Sequence, residues 1–337
     1  MSTTRAAPPP PRRRQAPERP QPSAADRRMT WRDRMYRFDM RYMPYLLIAP
    51  FFLLFLAFGL FPLLFNAVVS LRNYRLDDPT LPYWAGLDNF TRLVGDEDFW
   101  NALYNTFGIF ALSTVPQLLL ALVVASLLNR KLRAQTWWRV GVLLPYVTPI
   151  VASTMVFSVF FSREFGMANW ALGLLGIGGP DDPIDWRADK LHSWIAIATM
   201  VNWKWIGYNA LLYLAAMQSI PRDVYEASAI DGAGPWKQLW RITVPMIQPV
   251  VLFTVILSTI GGLQLFTEPM LFDQNAQIAT GGPNGEWQTI AQLIYKVGWK
   301  DLNLGYAAAM SWALFLIILV VAGINYLLTN RLSGGRR

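Results

Sequence analysis

The chain has no cysteine and a single histidine, His192. Disulfides and thiolate metal sites are therefore excluded, and one imidazole builds neither a metal cluster nor a histidine-based triad. Charge is also scarce. Asp, Glu, Lys and Arg make up 15% of the 337 residues, against about a quarter in a soluble domain. No GxxxxGK[ST] run occurs, so the backbone cradle and lysine that hold nucleotide phosphates are missing. Gly173, Gly176, Gly178 and Gly179 do not replace it, because no strand is predicted before them. Paired catalytic carboxylates and a nucleophile–histidine arrangement are not evident either, which argues against an enzyme.

The chain does have long apolar segments. They lie near 45–71, 102–129, 140–161, 192–217, 249–272 and 305–329. Each is long enough to cross a roughly 30 Å hydrocarbon core as a helix, which takes about 20 residues. The expectation is an all-α integral membrane protein with six spans. The fourth and fifth are the least uniform, because Lys204 interrupts one and Gln264 and Glu268 the other. Pro50, Pro62, Pro116, Pro145 and Pro149 fall in the spans. Proline breaks helices in water, but inside a bundle neighbouring groups satisfy the freed carbonyls. Kinked spans are expected. The first apolar run is too long and too far along the chain for a simple signal peptide, and reads as an uncleaved span.

Charge asymmetry orients these spans. Residues 1–43 carry eleven Arg against four acids, and 130–139 hold four basic residues and no acid. Loops 72–100 and 162–191 are net acidic, with six acids against three bases and five against three. Lys and Arg collect on the cytoplasmic side, so both termini are expected in the cytosol. The net charge of +8 is thus a topology signal, not a nucleic-acid footprint. The expected organisation is a basic tail and interfacial helix over 1–43, a membrane domain over 44–331 and a short cytosolic tail over 332–337. The tail, with its Pro8–Arg14 run, is too polar to bury a core. Its bases are attracted to membrane lipid. The mix of Arg with Trp31, Tyr36, Phe38 and Tyr42 suits a helix in the interface.

A polar stretch at about 218–248 separates two apolar segments and is built like a docking helix. Pro221 suits a first helical turn, and Asp223 and Glu226 oppose the positive end of the helix dipole. Ala227, Ser228 and Ala229 keep the helix thin. Gly232 and Gly234 can take positive φ and end it, and Pro235 starts a second helix. The order Glu226, Ala227, Asp231, Gly232, Ala233, then Ile242 and Pro245, resembles the "EAA" coupling loop of bacterial ABC importer permeases. Ser228 and Val244 stand where many of those permeases have Ala and Leu. Gly86-Leu87-Asp88-Asn89-Phe90, Arg139–Pro149, and the Gly166 and Asn169 pair extend the resemblance over about 45–330.

The resemblance implies a type I importer permease, a MetI-like six-helix bundle, with coupling through Glu226, Ala227, Ser228, Asp231, Gly232 and Ala233. It also implies a second homologous permease chain, two ATPase subunits carrying ATP and Mg, and an extracytoplasmic sugar-binding lipoprotein. This chain would bind no cofactor of its own, and it would sit in a bacterial cytoplasmic membrane.

Polar residues within spans usually face a bundle interior. Asn66, Asn105, Gln117, Asn202, Lys204, Asn209, Ser258, Gln264 and Glu268 are the candidates. Neutral amides and hydroxyls suit a neutral polyhydroxylated ligand, and Trp203, Trp205 and Tyr208 offer aromatic faces. The segment Trp205-Ile206-Gly207-Tyr208 is similar to the "WLGY" element of maltose-type permeases. By that likeness the substrate path includes Ile206, Gly207 and Ala210 on one helix and Ser258, Gly261 and Gly262 on the next. Gln264 stands in for a missing amide, and Asn209 joins them as an amide beside the segment. A di- or oligosaccharide is the expected substrate. A permease for amino acids or polyamines is the first alternative, with only Lys204 and Glu268 as charge partners for such a solute. A secondary carrier is the second, and it lacks the expected internal repeats and ion-coupling residues. Lys204 could pair with Glu268, reach the surface, or meet ligand.

Overall fold

The computed structural model describes residues 31–78, 82–130, 132–177, 182–273 and 281–333. Residues 1–30 of the expected tail, Gly178 and Gly179, and the last four residues lie outside that range. The chain divides into two units, 1–63 and 64–337. In the first, α1 runs over Trp31–Phe55 with Pro44 and Pro50 inside it, followed by a π-type turn over Leu56–Leu60. α2, Phe61–Ser70, leads into the second unit.

The second unit opens with a two-stranded pair, β1 Arg72–Asn73 against β2 Tyr83–Trp84. α3 (Asp88–Val94), α4 (Glu97–Leu128), α5 (Gln135–Val147), α6 (Ile150–Phe160) and α7 (Met167–Gly173) follow. α8 spans Lys190–Met217, and α9 (Arg222–Ile230), α10 (Pro235–Gln238) and α11 (Val244–Met246) form the polar loop. α12 (Gln248–Leu263), α13 (Thr267–Leu271), α14 (Ile290–Tyr295) and α15 (Leu304–Ser333) complete the chain.

All six predicted segments are helical. Four helices are apolar and long enough to cross a membrane, Tyr42–Ser70, Glu97–Leu128, Gln248–Leu271 and Leu304–Leu328. The predicted third span is a correction: it is a pair, α5 and α6, bent by 90°. Pro149 disfavours helix at the residue before it, and Thr148 is extended with ψ 141°. Counting this pair as one span gives five. α8 is long and unbroken, but its Trp, Asn and Lys residues make it too polar to meet the same standard. Lys204 does not interrupt it.

α4 and α8 form the most extensive helix pair, and small residues let them meet. A Cβ placed on Gly108 would overlap the Trp194 ring. One core packs Phe99, Leu263, Ile290, Tyr306 and Met310 from α4, α12, α14 and α15. A second holds Trp186, Trp194, Ile197, Phe272 and Trp287. The third packs Ala121, Ala125, Ala210, Tyr213 and Leu239 beneath the polar loop.

Several asparagines stitch this frame together. Asn89 Nδ2 donates to the Ser70 and Arg72 carbonyls, both at 2.9 Å. Asn169 Nδ2 donates to Arg163 and Ile184, and its oxygen accepts from Trp186 Nε1 at 2.9 Å. Asn105, a candidate for the transport path, is fully buried and donates to the Gly285 and Gln288 carbonyls at 2.7 and 3.0 Å. It is a structural tie.

Candidate functional site

The polar loop folds as two short helices around a tight turn. α9 starts after Pro221 and closes at Gly232, which has φ +73°. There the Gly232 N–H donates to Ala229 and the Ala233 N–H to Ser228, at 3.0 and 2.9 Å. These bonds satisfy carbonyls that a helix end would otherwise leave open. Gly234, expected to share the positive φ, does not: it is extended, with φ −67° and ψ 166°, as the residue before Pro235 must be.

Side chains lock the two helices together. Gln238 Nε2 donates to Ser228 Oγ at 2.9 Å, Ser228 Oγ donates to the Tyr225 carbonyl at 2.8 Å, and the Tyr225 and Thr243 hydroxyls lie 3.1 Å apart. Glu226, Ala227, Asp231 and Gly232 are left exposed at the tip, and Ala233 half-buried. Ile230 is 87% exposed, a large apolar side chain at the tip of the knob. Sequence reasoning passed over Ile230, although a large aliphatic just before the turn at Asp231 and Gly232 is a usable signal.

Within the bundle lies a cavity of about 500 Å³, within the usual span of ligand sites of about 300–1,000 Å³. Of the residues expected on the path, Asn209, Ser258, Gly261, Gly262 and Gln264 line it. Ile206, Gly207 and Ala210 do not. Gly207 sits where α8 touches α5, and a Cβ there would overlap the Val142 carbonyl. Its bare backbone therefore serves packing. Ala210 is fully buried in the core under the loop, and Ile206 is half-buried outside the lining. The helical face settles this: positions 205, 208 and 209 face the cavity, while 206, 207 and 210 face away.

The cavity also takes Thr114 and Gln117 from α4 and Tyr146 from α5. Thr114 and Tyr146 were not singled out by sequence. Tyr146 is stacked on Tyr208 with ring centroids 4.7 Å apart, and Trp205 stands edge-on to both at 5.4 and 6.0 Å. One wall is therefore aromatic, and amide and hydroxyl groups lie on the others. Trp203 is outside the lining, packed on Phe157 at 5.2 Å.

Glu268 lines the cavity and is only 4% exposed. The suggested pair with Lys204 is a correction, since no ion pair joins them among the described residues. Lys204 Nζ instead donates to the carbonyls of Thr148 at 2.6 Å and Tyr146 at 3.4 Å.

Cavity and loop are connected through the chain itself. α8 ends where the loop begins and α12 starts where it ends, and these two helices supply Trp205, Tyr208, Asn209, Ser258, Gly261 and Gly262 to the cavity.

Comparison with known proteins agrees with this architecture. The chain belongs to the family described as binding-protein-dependent transport system inner membrane component, whose model matches residues 117–334. It is 36% identical over 284 residues to the lactose transport system permease protein LacF of Rhizobium radiobacter, covering 84% of this chain and 92% of that protein. It is 31% identical over 317 residues to the arabinooligosaccharides transport system permease protein AraP of Bacillus subtilis, covering 94% and 96%. A crystal structure of a bacterial ABC transporter involved in importing the acidic polysaccharide alginate shares the fold. Its TM-score is 0.70 at 23% identity, over 88% of this chain and 99% of that one. A bacterial alginate ABC transporter in complex with an alginate pentasaccharide-bound periplasmic protein shares the fold too, with a TM-score of 0.70 at 22% identity. The chain is thus a multi-pass membrane component of a transport system, not an enzyme.

Proposed function

We propose that this permease conducts a di- or oligosaccharide inward as half of a translocation path, driven by ATPase subunits that grip the 218–248 loop. The observation that carries the reading is the continuity just described. A push on the loop reaches α8 and α12 together, and these helices supply both the aromatic wall and the polar groups of the cavity. Names of relatives such as LacF and AraP support a carbohydrate, and the lining fits one. Stacked rings cover the apolar face of a pyranose, while Asn209, Ser258 and Gln264 exchange hydrogen bonds with its hydroxyls.

The remaining parts follow the same reading. A second homologous permease completes the path, two ATPases dock on the loops, and a binding lipoprotein delivers sugar from outside. Both termini lie in the cytosol, on the side of the basic loops. ATP and Mg are held by the partner ATPase. When the ATPases close, the knob from Glu226 to Ala233 moves with them and the cavity changes the side to which it opens. The chain's own groups bind and orient the sugar and make no covalent bond.

One observation favours a second reading. Glu268 is a buried carboxylate in the lining, and it would suit a solute carrying an amine.

The test is to purify the tagged chain from native membranes in mild detergent, identify what co-purifies, and reconstitute uptake. Co-purification of a second permease, an ATPase and a solute-binding lipoprotein is expected, with ATP-dependent uptake of a sugar. Recovery of the chain alone, with crosslinking also failing to capture an ATPase, would overturn the reading. Glu268→Gln separates the solutes: uptake of a neutral sugar should persist, and that of an amine should collapse.

A further inference from the structure

A second cavity, about 510 Å³, lies at the other end of the α4–α8 pair, beneath the polar loop. The end of α4 gives it Arg130, the start of α5 gives Gln135 and Arg139, and the start of α9 gives Arg222. Ala134, with φ +56°, turns the chain back between α4 and α5, so Arg130 and Arg139 both reach this cavity. No acidic side chain is in its lining.

Those arginines are not occupied within the chain. Among the described residues, none of Arg130, Arg139 and Arg222 takes part in an ion pair. Arg139 Nε is shielded from solvent and has no hydrogen-bond partner. Leaving a buried guanidinium N–H unpaired costs free energy, so an anion supplied from outside is the natural completion. The Leu128 carbonyl at the end of α4 is already taken, since Gln135 Nε2 donates to it at 2.7 Å.

We infer that this pocket binds a phosphate group, and that the phosphate is the headgroup of an anionic phospholipid. Planar guanidinium forks match phosphate oxygens two at a time. The exposed tryptophans beside the pocket argue for lipid over free phosphate. Trp137 and Trp138, immediately before Arg139 on α5, are 78% and 59% exposed, and exposed tryptophans at a span end mark the headgroup level. Basic pockets between helices at that level recognise anionic headgroups. Tyr225 and Gln238 of the polar loop share the pocket, so a bound lipid would tie the loop to the α4–α5 turn. The inference does not depend on the identity of the transported solute.

The full chain, delipidated in mild detergent, would be titrated with phosphatidylglycerol and phosphatidylcholine and read by native mass spectrometry. Wild type should retain phosphatidylglycerol about tenfold better or more, the scale of charge-assisted hydrogen bonds. Arg139→Gln with Arg222→Gln should abolish that preference. Arg139→Lys with Arg222→Lys should keep part of it, and Arg163→Gln, on the far side of the chain, should change nothing. Equal retention of both lipids by wild type needs no variant to interpret and would overturn the inference. Retention unchanged by the double glutamine variant would overturn it equally. A third arm adds inorganic phosphate in millimolar excess. Arginine-dependent displacement of the lipid by phosphate, with phosphate itself retained, would overturn the lipid assignment in favour of a soluble anion.

Discussion

Lys204 of α8 caps the broken third span: its ammonium lies 2.6 Å from the Thr148 carbonyl and 3.4 Å from that of Tyr146. The 90° bend at Pro149 leaves the last carbonyls of α5 without intrahelical donors. A cation at a helix C-terminus is also favoured by the dipole. A buried lysine at 8% exposure, costly by itself, thus offsets the cost of an opened helix end.

Lys204→Met removes the donor and keeps the length. We expect a loss of about 1–3 kcal/mol, the cost of buried groups left unsatisfied, seen as a lower thermal unfolding midpoint in detergent. Solute affinity per folded complex should stay the same. Unchanged stability with weakened affinity would instead place Lys204 on the ligand.

Gly207 and Gly261 differ in what surrounds them: the first is pressed against α5, and the second lines the cavity. A methyl at Gly207 meets the Val142 backbone, which cannot move without shifting α5, whereas a methyl at Gly261 meets nothing within 4 Å. Gly207→Ala should therefore cost about 1–3 kcal/mol as overpacking. Gly261→Ala should hold or raise stability, by up to about 1 kcal/mol from helix propensity, while narrowing the cavity. Thermal unfolding together with uptake kinetics separates them. The first should lower folded yield, and the second should alter KM alone.

Gly232 tests the knob. At φ +73° any residue with a Cβ is strained, by about 1–2 kcal/mol, although open space surrounds the position. Gly232→Val should insert and fold, because the loop is exposed, but should misplace Asp231 and Ala233 at the tip proposed to dock the ATPase. ATP hydrolysis by the reconstituted complex is expected to continue with uptake reduced severalfold. Uptake matching wild type at equal hydrolysis would remove the loop from the coupling pathway.

Features written in local chemistry were legible in the sequence, and features set by neighbouring helices were not. The helix–turn–helix of the loop follows from Pro221, Gly232 and Pro235, each acting on its own backbone. Only Gly234 was misjudged, because the proline after it favours extended backbone there. The six helical segments follow from apolar length. The bend at Thr148 was visible only as a proline, since neighbours decide whether a proline kinks a span or breaks it. Gly207 and Ala210 were assigned to the path through the likeness to maltose-type permeases, and the closeness of α5 turns that face into packing. Asn105, polar in an apolar run, looked like a ligand group until Gly285, 180 residues away, supplied its partner. Tyr146 became an aromatic wall only through Tyr208 and the broken span that carries it.

The N-terminal end of α8 offers a pH test with a defined sign. Asp189 is its N-cap, accepting the His192 backbone N–H at 3.0 Å and facing the His192 ring at 2.6 Å. The backbone bond, then the ring, hold the Asp189 carboxyl below the usual range. A depressed carboxyl stabilises the fold above its unfolded value of about 3.9, and the contribution is lost as pH falls through the folded value. Asp189→Ala should therefore cost about 1 kcal/mol near neutral pH, as for other N-caps, and its deficit should close in acid. Asp189→Asn keeps an acceptor oxygen and cannot titrate. It should sit between the two near neutrality, and its gap to wild type should also shrink below about pH 4. Unfolding midpoints in detergent across this range decide the matter. A deficit in Asp189→Ala that stays constant down to the acid limit would mean the side chain acts through packing and not as an ionised cap.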